Sequence, residues 1–292
     1  MIKLMMPDNP HTYICILPNR GAIIIDYTFQ GRAILYLDRS TIESGTSSII
    51  RGGVPILFPV CGPVEANGYQ IRDQWYLMPK HGFARDFPWE ITSLNETKEF
   101  TSITLQLTSN MLTQKYYPYD FEMNTTYHLT GTELLIQTEL ANRSNYDMPF
   151  QLGFHPYFLL KDKNSIKLKL FAKECIDTLK GIRLQLSSDG WFHPDLNQEQ
   201  INLCFRGFNQ NHIEIQLDDH KVEIVFTANV TDIVLWAISG QDFICIEPWI
   251  GSHGDFAKNL AFRLSPGENF SATFTIRPSQ IQEVNSDESN EA

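Results

Sequence analysis

Basic residues are scarce in this chain. Of its 292 residues, 23 are Lys or Arg against 34 Asp or Glu, a formal charge of −11. Binding to nucleic acid or an anionic membrane without sequence preference draws on surplus positive charge. The balance argues against both, though it leaves room for a local cationic pocket around a small anion. No apolar run approaches the roughly 20 residues of a membrane span. The N-terminal stretch reaches Pro7 too soon to read as a secretory signal. There are five cysteines, at positions 15, 61, 175, 204 and 245, with no Cys-x-x-Cys pair. An odd, scattered set reads as buried thiols in a reducing compartment, not as a disulfide framework or a zinc site. A cytoplasmic protein is expected, and the Asn-x-Ser/Thr triplets at Asn95, Asn124, Asn142 and Asn229 are then chance matches. His-x-His and His-x-x-x-His spacings are missing, so no cupin-type or zincin-type metal cluster is indicated. There is no Gly-x-Gly-x-x-Gly, phosphate loop or nucleophile-elbow serine. Nucleotide use and serine hydrolysis are unsupported, and no cofactor is expected.

Helical periodicity is equally scarce. Residues 198–205 and 254–260 could each hold a short helix. Strand patterns dominate instead. Residues 12–17 and 21–27 are rich in β-branched and aromatic side chains. Apolar and polar residues largely alternate over 101–107, 133–140, 165–170, 212–217 and 221–226, the period of half-buried antiparallel strands. Turn residues separate these runs. No repeat, linker or composition break divides the chain, and an all-β fold follows, a large antiparallel sandwich or barrel spanning residues 1–281. Residues 282–292 are acidic and nearly devoid of apolar side chains, and are expected to be disordered.

Four short motifs can carry chemistry. Arg51-Gly52-Gly53-Val54-Pro55-Ile56-Leu57-Phe58-Pro59 pairs glycines, which allow close backbone approach, with stiffening prolines. His81-Gly82-Phe83-Ala84-Arg85 follows thirty residues after Arg51. Gly153-Phe154-His155-Pro156-Tyr157-Phe158 ends an apolar run on a histidine. Phe243-Ile244-Cys245-Ile246-Glu247-Pro248-Trp249 ends another on a glutamate, which must be extended because a proline follows it. A histidine and a carboxylate that converge can move protons, and neighbouring aromatics can hold a sugar ring. Bland uses compete: His155 as a strand cap, Glu247 as a rim carboxylate, His81 as a turn residue, the arginines as solvated surface. Trp249, Trp75, Tyr157 and Phe158 could all be core. His128, His193, His212 and His220 have no motif around them and read as surface or packing residues, whereas His253 could reach a cleft rim.

In this order and spacing the motifs resemble the aldose 1-epimerase (galactose mutarotase-like) superfamily, in particular its hexose-6-phosphate mutarotase branch. The resemblance runs from about Tyr13 to Arg277. It implies an all-β fold: a large antiparallel β-sandwich of the galactose mutarotase-like type with few short helices. It also implies a sugar or sugar phosphate as substrate, and ring opening by a histidine and a glutamate with no metal or cofactor. By position within the motifs, the resemblance assigns His155 and Glu247 as catalytic and His81 as a sugar contact. It makes Arg51 and Arg85 basic positions near the cleft, and Trp249 would lie beside the substrate. For the family's aspartate on the sugar hydroxyls the nearest candidate is Asp177. The continuation from Trp249 through Asp255 departs from many relatives of this kind and bears on cleft specificity.

The chemistry agrees with that assignment. Anomer exchange removes the proton of the C1 hydroxyl while the ring oxygen gains one. Rotation about C1–C2 in the open aldehyde then precedes closure. A carboxylate base and an imidazolium acid suit this if both are tuned toward neutral pH. A non-catalytic carbohydrate-binding protein on the same sandwich is the competing expectation, since fold alone does not imply turnover. Free hexose versus hexose 6-phosphate stays open, and no segment marks an oligomeric interface.

Overall fold

The computed structural model describes residues 1–43, 49–71, 73–217, 220–256 and 258–280. The acidic stretch 282–292 lies outside the described residues. Two large antiparallel sheets make up most of the chain. In the nine-stranded sheet the central strands His220–Phe226, Asn269–Gln280, Leu134–Asn142, Phe121–Thr130 and Phe100–Thr108 lie side by side. Phe121–Thr130 alternates buried and half-buried residues along its whole length, and His220–Phe226 does the same. One face therefore packs inward and the other meets solvent, as the alternating sequence predicts. The outward face is laced with polar cross-strand pairs such as Thr104 with Thr126 at 2.9 Å and Gln106 with Asn124 at 3.0 Å.

The eight-stranded sheet differs. Its strands run in the order Ile182–Leu184, Glu174–Asp177, Gln200–Arg206, Asp232–Ile238, Phe243–Ile250, Leu152–Phe154 and Ile56–Leu57, with Tyr157–Leu159 also paired to Phe243–Ile250. All eight residues of Phe243–Ile250 are buried. Its even-numbered residues Ile244, Ile246 and Ile250 join the main core between the sheets, with Leu203, Leu235 and Phe274. Its odd-numbered residues Phe243, Cys245, Glu247 and Trp249 point to the opposite face, which is covered as well. Trp249 packs there with Leu57, Cys61, Cys204 and Val234, and Cys245 packs with Tyr157 and Phe243. A strand buried on both faces reads as continuous apolar sequence, so a lone carboxylate within it stands out.

The observed architecture is the antiparallel sandwich that the alternation and the family resemblance predict. Two short-helix expectations fail. Residues 200–206 form the strand Gln200–Arg206, whose inward residues Ile201, Leu203 and Phe205 alternate with Asn202 and Cys204. The apolar period of two outweighs the polar residues at the start of that stretch. The described residues of 254–260 form turns. No helix among the described residues is long and apolar enough to cross a membrane. All five cysteines are free and buried.

The inward assignment of Ile246 can be tested. Ile246→Ala is expected to destabilise by about 2–5 kcal/mol. Leu94→Ala, at a position 62% exposed, should change stability by less than about 0.5 kcal/mol. Urea denaturation midpoints of the two variants measure the difference.

Candidate active site

The register of the eight-stranded sheet explains why a histidine meets a glutamate. On one side of Phe243–Ile250, Tyr157 pairs with Cys245. Further along the same side, Gly153 pairs with Trp249. Between them Phe154 ends its strand, and His155 and Pro156 leave the ladder opposite Glu247. Pro156 has no N–H to donate to a ladder. The backbone N–H of His155 turns instead to the Pro55 carbonyl at 3.0 Å, and that of Tyr157 to Gly53 at 2.9 Å. The imidazole thus faces the carboxyl, with His155 Nε2 3.3 Å from Glu247 Oε1. Trp249, two residues on and on the same face, donates from Nε1 to Glu247 Oε2 at 3.2 Å.

Glycines make room for this indole. A Cβ on Gly153 would stand 2.9 Å from both Trp249 Cδ1 and Cys61 Sγ, and one on Gly62 would meet His253 at 3.0 Å and the Trp249 ring at 3.4 Å. His253 therefore lies against the same loop. His81 reaches the site from the loop between the hairpin strand Gln74–Leu77 and the 3-10 turn Ala84–Asp86. It sits at φ 68° before Gly82 at φ 73°. This left-handed pair packs against Phe58, whose carbonyl accepts the N–H groups of Phe83 at 3.0 Å and Ala84 at 3.2 Å. A Cβ on Gly82 would lie 2.0 Å from the Phe58 oxygen, so only glycine fits. The His81 ring centroid is 5.4 Å from that of His155 and 5.9 Å from Trp249. Tyr157 stacks on His155 at 4.8 Å, and Trp236 meets it edge-on at 5.8 Å.

Burial sets the charges. Desolvation pushes the Glu247 carboxyl up to about 8, against the pull of Lys80 and the Trp249 hydrogen bond. Desolvation, and then the positive charge of Arg85, lowers His155 to about 3. His81 is held well below its ordinary value by burial, His155, Arg85 and Lys80. Desolvation thus favours the neutral form of both members of the 3.3 Å pair, a protonated carboxyl beside an uncharged imidazole. Three cations border the pair. Arg85 donates to the Lys80 carbonyl at 2.9 Å and is 17% exposed. Arg51 is half-buried, and its charge reaches Tyr157 and Cys245.

Among the residues singled out from sequence, the structure brings His155, Glu247, His81 and Trp249 together, with Arg85 acting electrostatically on His155 and His81, and Arg51 on the neighbouring Tyr157 and Cys245. It does not bring Asp177. That residue pairs across the sheet with Leu203, Leu203 with Leu235, and Leu235 with Ile246, which is the core-facing row. Its Oδ1 caps a turn, accepting from Leu179 at 3.0 Å and Lys180 at 3.1 Å. Asp177 thus ends its strand on the opposite face and caps a turn there, with two strands lying between it and the strand of Glu247. On the correct face, the row Asn202, Trp236, Cys245 and Tyr157 crosses four strands beside the pair. Asn202 and Trp236 escaped sequence reading because a single asparagine or tryptophan in a strand carries no motif. His155, Cys245 and Glu247 offer three donor atoms within 4.8 Å of one another. The surrounding Arg51, Lys80 and Arg85 oppose a cation there.

Comparison with known proteins places these features. The sequence profile described as aldose 1-epimerase matches residues 5–277. An Escherichia coli (strain K12) protein named "Putative glucose-6-phosphate 1-epimerase" is 24% identical over 213 residues, covering 67% of this chain and 67% of that protein. A Salmonella typhimurium protein of the same name is 30% identical over 175 residues, covering 59% of this chain and 53% of its own length. The solved structure of the Slr1438 protein from Synechocystis sp. PCC 6803 superimposes with a TM-score of 0.88 at 30% identity, covering 96% of each chain. A galactose mutarotase related enzyme from Lactobacillus acidophilus gives 0.78 at 24% identity, covering 96% of this chain and 98% of that one.

The charge state of Glu247 has a consequence for stability. A carboxyl whose folded pKa is raised stabilises the fold most below its unfolded pKa, and that contribution is lost as pH climbs through the folded value. For Glu247 the window runs from 4.5 to about 8. Glu247→Gln, neutral in both states, should gain stability relative to wild type across this window by on the order of 3 kcal/mol. Urea denaturation of both proteins at pH 5 and pH 8.5 reads this directly, and an unchanged difference would mean that Glu247 is ionised in the fold.

Proposed function

This chain belongs to the aldose 1-epimerase family, and we propose that it interconverts the α and β anomers of a hexose 6-phosphate by reversible ring opening. The observation that carries this reading is the buried His155–Glu247 pair, 3.3 Å apart, in which burial favours the uncharged form of each group. Proton on Glu247 and proton on His155 are two forms of the same net-neutral pair. A sugar between the two groups supplies hydroxyl and ring oxygens in place of their direct contact. In the carboxylate–imidazolium form, Glu247 takes the proton of the C1 hydroxyl while His155 Nε2–H gives its proton to the ring oxygen. The C1–O5 bond breaks, and the open aldehyde rotates about C1–C2. Closure returns each proton to its donor, so the pair ends as it began. No group outside the pair gains or loses a proton. Trp249 and Tyr157 confine the pair in a dry space where its charges are felt strongly, and Trp236 offers an aromatic surface to the sugar.

Support for the phosphate comes from charge. Arg85 and Lys80 act on the pair and Arg51 on the adjacent Tyr157, a local gathering of positive charge in a chain of net charge −11. Guanidinium groups suit phosphate oxygens through forked hydrogen bonds. The two enterobacterial relatives also carry glucose 6-phosphate in their names.

Anomer exchange followed by NMR saturation transfer, with glucose, galactose and glucose 6-phosphate in parallel, tests the proposal. Acceleration is expected for the phosphate. Binding without acceleration of any sugar would instead make the chain a carbohydrate-binding protein. Glu247→Gln and His155→Ala should each lower kcat by about 10²–10⁴-fold. Arg85→Ala should raise KM for glucose 6-phosphate at least about tenfold, the loss of one charge-assisted hydrogen bond, and leave a free hexose little affected.

The pH profile follows from the proton count. The pair keeps its single proton between the low value of His155, about 3, and that of Glu247, about 8. The rate should therefore fall above about pH 8 and hold well below pH 6.5, the ordinary histidine value. A profile that loses activity on acidification through pH 6.5 would contradict the one-proton pair.

A further inference from the structure

The backbone N–H and both side-chain heteroatoms of Gln151 are engaged. Its backbone N–H donates to the Pro59 carbonyl at 2.8 Å. Its side-chain Oε1 accepts the N–H of Cys61 at 2.9 Å, and Nε2 donates to the Ser252 carbonyl at 2.7 Å. The residue is buried, and Gly251 makes way for it: a Cβ there would stand 2.7 Å from Gln151 Cγ. Ser252 is itself tied down, its hydroxyl donating to Asp232 Oδ1 at 2.6 Å. Asp232 is fully buried, and the Arg206 fork grips its other oxygen at 2.9 and 3.1 Å. The amide thus bridges an anchored segment on one side to the Cys61 loop on the other.

One residue past Cys61, the N–H of Gly62 donates to His81 Nδ1 at 3.1 Å, and the His81 N–H returns to the Gly62 carbonyl at 2.8 Å. A neutral imidazole that accepts at Nδ1 carries its proton on Nε2. The other tautomer would set two N–H groups against each other. Burial and the neighbouring positive charges keep the ring neutral, so the tautomer is the one variable left for the loop to decide.

We propose that Gln151 is a positioning residue for His81: by holding the Cys61–Gly62 loop, it locks His81 in the Nε2–H tautomer as a neutral hydrogen-bond donor. The tautomer lock stands on geometry alone. That the donor serves a sugar oxygen rests on the epimerase reading above. The arrangement spares the reaction a third titrating group, because an imidazolium at position 81 would compete with His155 as acid.

The test separates the two parts. In ¹⁵N-labelled native protein, long-range ¹H–¹⁵N correlation should show one neutral Nε2–H tautomer for His81 from pH 5 to pH 9, with Nδ1 shifted as an acceptor. An Nδ1–H or mixed tautomer in the native protein overturns the proposal whatever the activity proves to be. Gln151→Met keeps the shape of the side chain and removes both bonds. In the folded variant the His81 tautomers should mix, and kcat should fall about tenfold to a hundredfold, the scale of small misplacements of a catalytic geometry, with the pH limits of the pair unmoved. A folded variant with an unchanged tautomer overturns the proposal. Should Gln151→Met fail to fold, Gln151→Asn retains an amide one methylene too short to reach both Cys61 and Ser252, and is read by the same criteria.

Discussion

A carboxyl group buried beside a neutral imidazole is the constraint around which this molecule is organised. Ionising Glu247 alone in a dry interior is unfavourable, and so is charging His155 beside Arg85. Sharing one proton avoids both, and the 3.3 Å contact is the geometry of that solution. The surroundings follow from it. The face around the pair is covered by Trp249, Tyr157 and the loops carrying Cys61 and His81, which keep it dry. The cations Lys80 and Arg85 stand near enough to act on the pair, and Arg51 on Tyr157 beside it, but none is joined to Glu247 by a described ion pair that would drain its proton affinity.

Burying a strand on both faces is what makes such a site possible. In the nine-stranded sheet, strands alternate and one face is wet. Phe243–Ile250 has no wet face, so Glu247 is enclosed by the same packing that holds the sandwich together. The proline after His155 interrupts the neighbouring ladder where the carboxyl needs a partner. Fold stability and the proposed proton chemistry therefore share one strand: Ile246 fills the core on one side, and Glu247 occupies the other a single residue later.

Much of this was legible in the chain. Alternation along residues 133–140 and 221–226 requires half-buried strands, and the motifs ending in His155 and Glu247 stand out because each interrupts an apolar run. What stayed illegible depended on register. Asp177 resembles a site carboxylate in sequence, yet pairing through Leu203 and Leu235 sends it to the core-facing row, where it caps a turn. Asn202 was hidden in a stretch that could have been helix, and it lies on the site face because Gln200–Arg206 is a strand. Gln151 carries no motif; its role arises from bonds to residues 90 and 101 positions away.

Local period and residue order were enough for the fold class, for the two polar groups placed at the ends of apolar runs, and for the family. Tertiary structure decided the rest. It set which face each side chain takes, since a shift of one residue in a strand reverses every side chain. It set the protonation of Glu247 and His155, since burial is a property of everything packed around a group and not of its neighbours in the chain. And it chose the tautomer of His81, which is decided by the N–H of Gly62, nineteen residues away in sequence and 3.1 Å away in space.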